Sequence, residues 1–343
     1  MNKKRKWRNK KKTKKFSYNN KIKRKKYSYF NKLIYKIIFI SFLSLIISFI
    51  SLYNKDIISE DQIIKEIDKI EPNPDSLNWD NVKKDFEMLA KKYEYLLKYE
   101  KNIAEDSPIW TMWYQGIDKA PPIVLSCIQS IILNRGKHPV YIISKYNLHK
   151  YLKLPSYIIE KYKNGSFTTT HFSDIIRMGL LYKYGGYWLD CTYFITAPLT
   201  KLNFSFFTLK TKVYKWYINF LASCKHGFMA TFGYIAFLYY LKKYNSFIDY
   251  FLLDYMVAIA YNNTPAFTKQ INNLPYLNCS PFNILYKLHS IYTGENICLY
   301  NKLSYKGYSG LPYGNRMSNF KYIIDNYKFN FNNISNNNIF LNI

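Results

Sequence analysis

Residues 107–310 predict an α/β domain with a mainly parallel central sheet, and three features of the sequence support that fold class. Short apolar strands alternate with segments of helical period, as layered α/β domains require. A strand, a helix and a second strand follow one another within about forty residues, the size of a βαβ unit. A double glycine then separates a helix-period segment from a strand-period one.

The chain has 343 residues and 48% hydrophobic content, enough to bury a full core, which excludes a wholly disordered chain. Its 50 bases against 22 acids give +28, but residues 1–36 alone hold 17 bases and no acid. More than half of the excess charge therefore belongs to a basic tail. Residues 37–54, IIFISFLSLIISFISLYN, follow as an uncharged run. At about 1.5 Å per residue they reach roughly 27 Å, near the ~30 Å of a bilayer's hydrocarbon core. With no small-residue cleavage pattern at its exit, the run reads as an uncleaved transmembrane anchor.

The upstream cations place the N-terminus in the cytosol and residues 55 onward across the membrane. That topology means a single-pass membrane protein, of the Golgi in a eukaryote or of the cell membrane in a bacterium. A buried helix and a nucleic-acid arm are the competing readings of this region. Because the cations adjoin an apolar span, positive-inside flanking or anionic-lipid contact is preferred, and no nucleic-acid partner is expected.

Residues 55–106 are polar with a helical pattern, Leu89, Tyr93, Leu96 and Leu97 marking the apolar side, and read as a stalk or an accessory segment. PIWTMWYQG then gives the first strand and a glycine turn. PPIVLSCIQSIILN gives a helix opened by Pro121 and Pro122, with apolar positions 124, 128, 131 and 132 on one side. HPVYIIS is the second strand. The glycine-rich phosphate fingerprint that would hold a dinucleotide or ATP is missing from this unit.

The richest segment is TTTHFSDIIRMGLLYKYGGYWLDCTYFI, residues 168–195. Phe172, Ile175, Ile176 and Leu180 form an apolar stripe, and Asp174 and Arg177, three apart, project together. Gly185 and Gly186 end the helix, and Trp188, Asp190 and Thr192 share one face of a continuing strand. Asp190 is a lone acid in an apolar strand. Burial of an unpaired carboxylate costs several kcal/mol, so Asp190 is expected to meet a metal, a cation or a hydrogen-bonding ligand. Plainer readings remain: a surface Asp174–Arg177 pair, and Asp190 as a helix cap.

SFIDYFLLDYMVAIAY reads as one helix with Phe247, Phe251, Tyr255 and Ala258 inward and Asp254 beside that stripe, placed to orient an acceptor or act as a base. A helix-to-helix hydrogen bond would explain the same carboxylate. The histidines are isolated and are expected to be structural or on the surface, with His171 alone near the cleft. Five widely spaced cysteines, 127, 191, 224, 279 and 298, indicate neither a disulfide framework nor a zinc module. Residues 311–343 form an Asn-rich C-terminal extension, expected to be loose.

The combined pattern SDxxRxxxLYxYGGxWLDxT, with IWxxWxQG upstream and FLLDY downstream, closely resembles the capsular polysaccharide synthesis proteins, relatives of the family-32 glycosyltransferases that carry a DxD sugar-binding motif. The resemblance implies a GT-A type fold and a nucleotide-sugar donor whose hexose or related sugar goes to a glycan or lipid-linked acceptor with retention of configuration. It implies that Trp113 lies against the base, that Asp174 and Arg177 hold the donor's hydroxyls and phosphate, and that Asp190 faces the ribose and a metal-bound diphosphate. Gln115, Gly186 and Thr192 fall on the donor-binding side of the pattern, and Asp254 on the acceptor side. A divalent cation, Mn²⁺ or Mg²⁺, is implied at Asp190. Two departures weaken that ion: Thr192 replaces the second acid of DxD, and Asn301 stands where KLSYK is often preceded by His. These same departures leave open a non-catalytic glycan-binding or scaffold protein on a transferase fold.

Overall fold

The computed structural model describes residue 36 and residues 39–41, 59–199, 202–294, 297–306, 317–331 and 339–340. The chain divides into two units, Met1–Ser59 and Glu60–Ile343. The first, with the expected anchor at 37–54, lies outside the described residues except for Lys36, Phe39, Ile40, Ser41 and Ser59. Among the described residues no helix is long and apolar enough to cross a membrane.

The second unit begins with helices α1 (Glu60–Ile67) and α2 (Trp79–Tyr93). Strand β1 (Ile109–Met112), helix α3 (Pro122–Leu133) and strand β2 (Val140–Ile143) follow. Next come helices α4 (Leu148–Tyr151), α5 (Ser156–Lys163) and α6 (Thr169–Tyr184). Strands β3 (Gly186–Leu189), β4 (Tyr193–Ile195), β5 (Phe206–Thr208) and β6 (Phe220–Ser223) lead to helices α7 (Phe228–Lys243), α8 (Leu252–Asn263) and α9 (Pro265–Asn272). The last elements are β7 (Tyr300–Lys302), α10 (Asn319–Asn326) and β8 (Ile339–Phe340).

The central sheet has the order β5-β6-β3-β1-β2-β8 and is mainly parallel. The β3-β1-β2-β8 block is parallel, and β6 and β5 close one edge antiparallel. Every residue of β1, β3 and β6 is buried, so both faces of the sheet are covered. The chain leaves β1 for β2 on one side and returns as β3 on the other. The order thus reverses between β1 and β3, and their carboxyl ends open on the crevice where ligands of α/β sheets bind.

Three expectations are corrected. The strand read as continuing from Tyr187 through Tyr193 stops at Leu189. Asp190 to Tyr193 form a turn closed by Tyr193 N–H donating to the Asp190 carbonyl at 2.8 Å, and β4 then pairs with β7 in a separate two-stranded sheet. The described parts of the Asn-rich end, expected to be loose, belong to the fold: Ile323 of α10 is fully buried and β8 adds a parallel strand beside β2. Cys279 and Cys298, although not in a motif, are paired as a disulfide with Cα atoms 6.0 Å apart.

The segment that could have been a stalk packs on the domain instead. Val82, Phe86, Leu89, Ala90 and Tyr93 of α2 are buried, and α2 packs against α7 and α8. Asp85 is held there by Lys243 Nζ at 2.7 Å and by the Tyr244 hydroxyl at 2.9 Å.

Candidate active site

Helix α6 owes its start to Thr168, whose hydroxyl accepts from His171 N–H in a capping box, and its end to Gly185. Its predicted stripe, Phe172, Ile175, Ile176 and Leu180, is wholly buried. Gly185 and Gly186 both have positive φ, and a Cβ on Gly186 would lie 2.1 Å from the Pro108 carbonyl oxygen. Gly186 is therefore required twice over, by its positive φ and by the close approach of β3 to the chain entering β1. Trp110 locks the junction by donating to the Gly185 carbonyl at 3.0 Å and is itself buried in the core.

These elements bring Asp174, Arg177 and Asp190 together beyond the ends of β1 and β3. Arg177 Nη2 lies 3.1 Å from Asp174 Oδ1 and 3.0 Å from Asp190 Oδ1, and Nη1 donates to the Ile218 carbonyl at 2.7 Å. Arg177 and Asp174 are buried, which excludes the surface-pair reading. Its guanidinium carbon is 5.2 Å from the Trp188 ring centroid, and its Nε is buried without a partner.

Asp190, expected to need a cation, has two. Its Oδ1 also accepts from Trp188 Nε1 at 2.9 Å, and Lys302 Nζ is 3.4 Å from Oδ2. Burial alone would raise the Asp190 carboxyl, but Lys302 and then Arg177 outweigh it and hold the group below its ordinary value. Asp174 is the opposite case. Burial pushes it up to about 7 against the lowering effect of Arg177, and Asp190 and Asp254 push the same way. Asp190 has Lys302 as well as the shared guanidinium and is favoured as the carboxylate, whereas Asp174 has only Arg177 against its burial and titrates at about 7.

Asp254 lies in the first turn of α8, part-buried, with its carboxyl raised by burial and lowered in part by Arg177 and by a hydrogen bond from Trp216. The inner face of this helix differs from the expected one. Leu252, Leu253, Met256, Val257 and Ala260 are buried, whereas Phe251 is 56% and Tyr255 41% exposed. Asp249 precedes the helix and accepts from Phe251 N–H at 2.7 Å. His171, the histidine expected near the cleft, caps α6 and stacks on Phe247 with centroids 4.0 Å apart, its Nε2 buried without a partner.

Trp113 follows β1 directly, half-buried, with Tyr305 edge-on at 5.2 Å and its indole N–H buried without a partner. Gln115 is exposed on the next turn. Thr192 is buried, and its hydroxyl accepts from Lys302 Nζ at 2.6 Å. Asn301 points elsewhere: its amide donates to the Phe194 and Cys298 carbonyls and its oxygen accepts from Cys298 N–H. A side chain at 301 therefore holds β7 in place and does not face Asp190.

Lys302, Trp216 and Tyr305 were not singled out by sequence. The signal for Lys302 was its place in KLSYK: in a strand whose residue 301 faces inward, 302 faces the other way.

The donor set fits a resident divalent ion poorly. Among the described residues no three His, Cys, Asp or Glu side chains gather, and the acid-x-acid pattern is Asp190-Cys191-Thr192 here. Such ions take about six or more oxygens, and both oxygens of Asp190 and the Thr192 hydroxyl are already engaged by the protein's own cations and Trp188.

Residues 59–306 match the family described as capsular polysaccharide synthesis protein. The chain belongs to that family. The match starts upstream of α1, so the family's region includes the α1–α2 layer as well as the sheet and the Asp174–Arg177–Asp190 cluster. A solved structure titled PaToxG Glycosyltransferase is similar over 56% of this chain and 82% of that chain, at 14% identity and a TM-score of 0.33. No curated protein matches the chain.

Proposed function

We propose that this member of the capsular polysaccharide synthesis family is a glycosyltransferase of GT-A type. In this reading it moves a sugar, with retention of configuration, from a nucleoside-diphosphate sugar to a glycan or lipid-linked acceptor. The observation that carries the proposal is the placement of Arg177 and Asp190 at the switch point of the sheet. A buried guanidinium suits a departing diphosphate, and an ionised carboxylate beside it suits ribose or sugar hydroxyls. Trp113, with its unpartnered indole N–H, offers a face for the base.

In the reaction the bond from the anomeric carbon to the β-phosphate oxygen breaks as the acceptor oxygen bonds to that carbon, and the acceptor's proton leaves with the phosphate. The protein's part is to position both reactants and to stabilise charge growing on the diphosphate. Asp254, which takes a hydrogen bond from Trp216 and feels the charge of Arg177, is the group we assign to the acceptor hydroxyl.

The anchor at residues 37–54 belongs to the proposal. Its support is the uncharged run behind 17 cations, together with the Cys279–Cys298 disulfide, which suits an oxidising compartment. Carbonate extraction tests it, and release of the full-length chain into the soluble fraction refutes it. The activity is tested by incubating the full chain with a panel of nucleoside-diphosphate sugars and measuring nucleoside diphosphate release. Release from none of them, with no binding, favours the scaffold reading.

A further inference from the structure

Strand β7 is held more firmly than its three residues would suggest. Tyr193 lies opposite Lys302 in the β4–β7 ladder, Leu303 N–H donates to the Thr192 carbonyl at 2.9 Å, and Lys302 N–H donates to the Pro281 carbonyl at 2.8 Å. Asn301 is fully buried with three hydrogen bonds, and Cys298, two of whose backbone groups it binds, is tied to Cys279. All of this fixes the root of one lysine. Its ammonium spans Thr192 Oγ1 at 2.6 Å and Asp190 Oδ2 at 3.4 Å, with the Leu303 carbonyl at 3.4 Å as third partner.

Asp190 and Thr192 are the two positions that correspond to the first and last members of an acid-x-acid metal site. The oxygens that a divalent ion would need, at about 2.0–2.6 Å from the metal, are bridged by an ammonium. Ion and ammonium cannot occupy the same gap. Two cations, Arg177 at 3.0 Å and Lys302 at 3.4 Å, meet the one carboxylate of Asp190 where a dianion would arrive.

We infer that Lys302 is the resident cation of this site, taking the place of a divalent metal beside Asp190 and forming with Arg177 the seat for the donor's diphosphate, so that donor binding does not need a metal. The inference rests on the proposed nucleoside-diphosphate-sugar reading and adds the residue that neutralises the leaving group. On diphosphate arrival the ammonium keeps Asp190 and exchanges its Thr192 contact for a phosphate oxygen. An ammonium has three donors and can hold both.

The test is calorimetric titration of the full-length protein with UDP and GDP, in EDTA and again with Mn²⁺, using wild type, Lys302→Ala, Lys302→Gln and Lys302→Arg. Wild type is expected to bind at least one of them in EDTA, with less than about a threefold change on adding Mn²⁺. Lys302→Ala and Lys302→Gln lose about tenfold or more in EDTA, roughly 1.4 kcal/mol. Lys302→Arg keeps most of the affinity. With the gap opened, Lys302→Ala regains affinity in Mn²⁺. Electron paramagnetic resonance gives a second readout: apo wild type leaves the free Mn²⁺ signal undiminished, and with nucleotide present, which itself chelates Mn²⁺, only Lys302→Ala lowers the signal below that of nucleotide alone.

Binding by wild type only when Mn²⁺ is present overturns the inference while leaving the donor reading intact. Undiminished binding by Lys302→Ala in EDTA does the same. Absence of UDP and GDP binding under every condition overturns both. If Lys302→Ala fails to fold by circular dichroism, Lys302→Gln, which keeps the length of the stem, decides.

Discussion

Replacing Asp174 with Asn removes a carboxyl that the fold prefers uncharged, and its effect on stability has a definite pH dependence. Burial holds the Asp174 carboxyl at about 7 against an ordinary 3.8, although Arg177 is 3.1 Å away. In the folded chain the proton stays on up to about pH 7, whereas the unfolded chain gives it up near 4. Between those values the folded state binds more protons, so stability falls as pH rises, and above pH 7 the full penalty applies. The separation corresponds to roughly 4 kcal/mol at about 1.4 kcal/mol per pH unit. Asp174 is only 5% exposed, so little of this is lost to solvent. Asparagine keeps an acceptor for Arg177 and never ionises, but its amide N–H groups need partners, which reduces the gain. Urea unfolding of the full chain, followed by tryptophan fluorescence from pH 4 to pH 8, is expected to show wild type and Asp174→Asn nearly equal at pH 4. The variant is then expected to lead by about 2–4 kcal/mol at pH 8. A difference that does not change with pH would show that Asp174 is ionised throughout and refute the shared-guanidinium account.

Two further outcomes follow from the geometry. Asn301→Ala strips three buried backbone groups of their partner, at about 1–3 kcal/mol for each left unsatisfied, so a loss of about 3 kcal/mol or more is expected in the same unfolding assay; a loss below 1 kcal/mol would contradict the role given to this residue. Trp113→Ala is expected to weaken nucleoside diphosphate binding roughly 5- to 150-fold, from the loss of about 1–3 kcal/mol of stacking, while leaving inorganic pyrophosphate binding unchanged. Equal losses for both ligands would mean that Trp113 supports the pocket without touching the base.

The site was legible where chemistry and local period coincide. Asp174 and Arg177 three apart on a helix, a double glycine and an acid four residues beyond it suffice to assemble the cluster, because each spacing is short and set by backbone geometry. What sequence missed depends on distant partners. Alternation continues past Leu189, so nothing local reveals the turn at Asp190 that allows β4 to pair with β7, a strand far downstream. Lysine in a short strand reads as a solvated position, and only the ladder brings Lys302 to Asp190. On α8 the large aromatic residues Phe251 and Tyr255 outweighed the smaller Leu252, Leu253, Met256 and Val257 that are actually buried. The Asn-rich composition near the C-terminus likewise concealed the buried Asn319 and Ile323 of α10 and the two-residue strand β8.

The central claim is that Arg177 holds the donor's leaving diphosphate while Asp190 takes the adjoining ribose or sugar hydroxyls, and nucleoside diphosphate release from whichever donor the wild type turns over measures it most directly. Arg177→Ala and Asp190→Asn, each confirmed as folded by circular dichroism, are expected to reduce that release by roughly 100- to 1,000-fold, the usual cost of one preorganised electrostatic contact. Wild-type turnover by either folded variant would contradict the account.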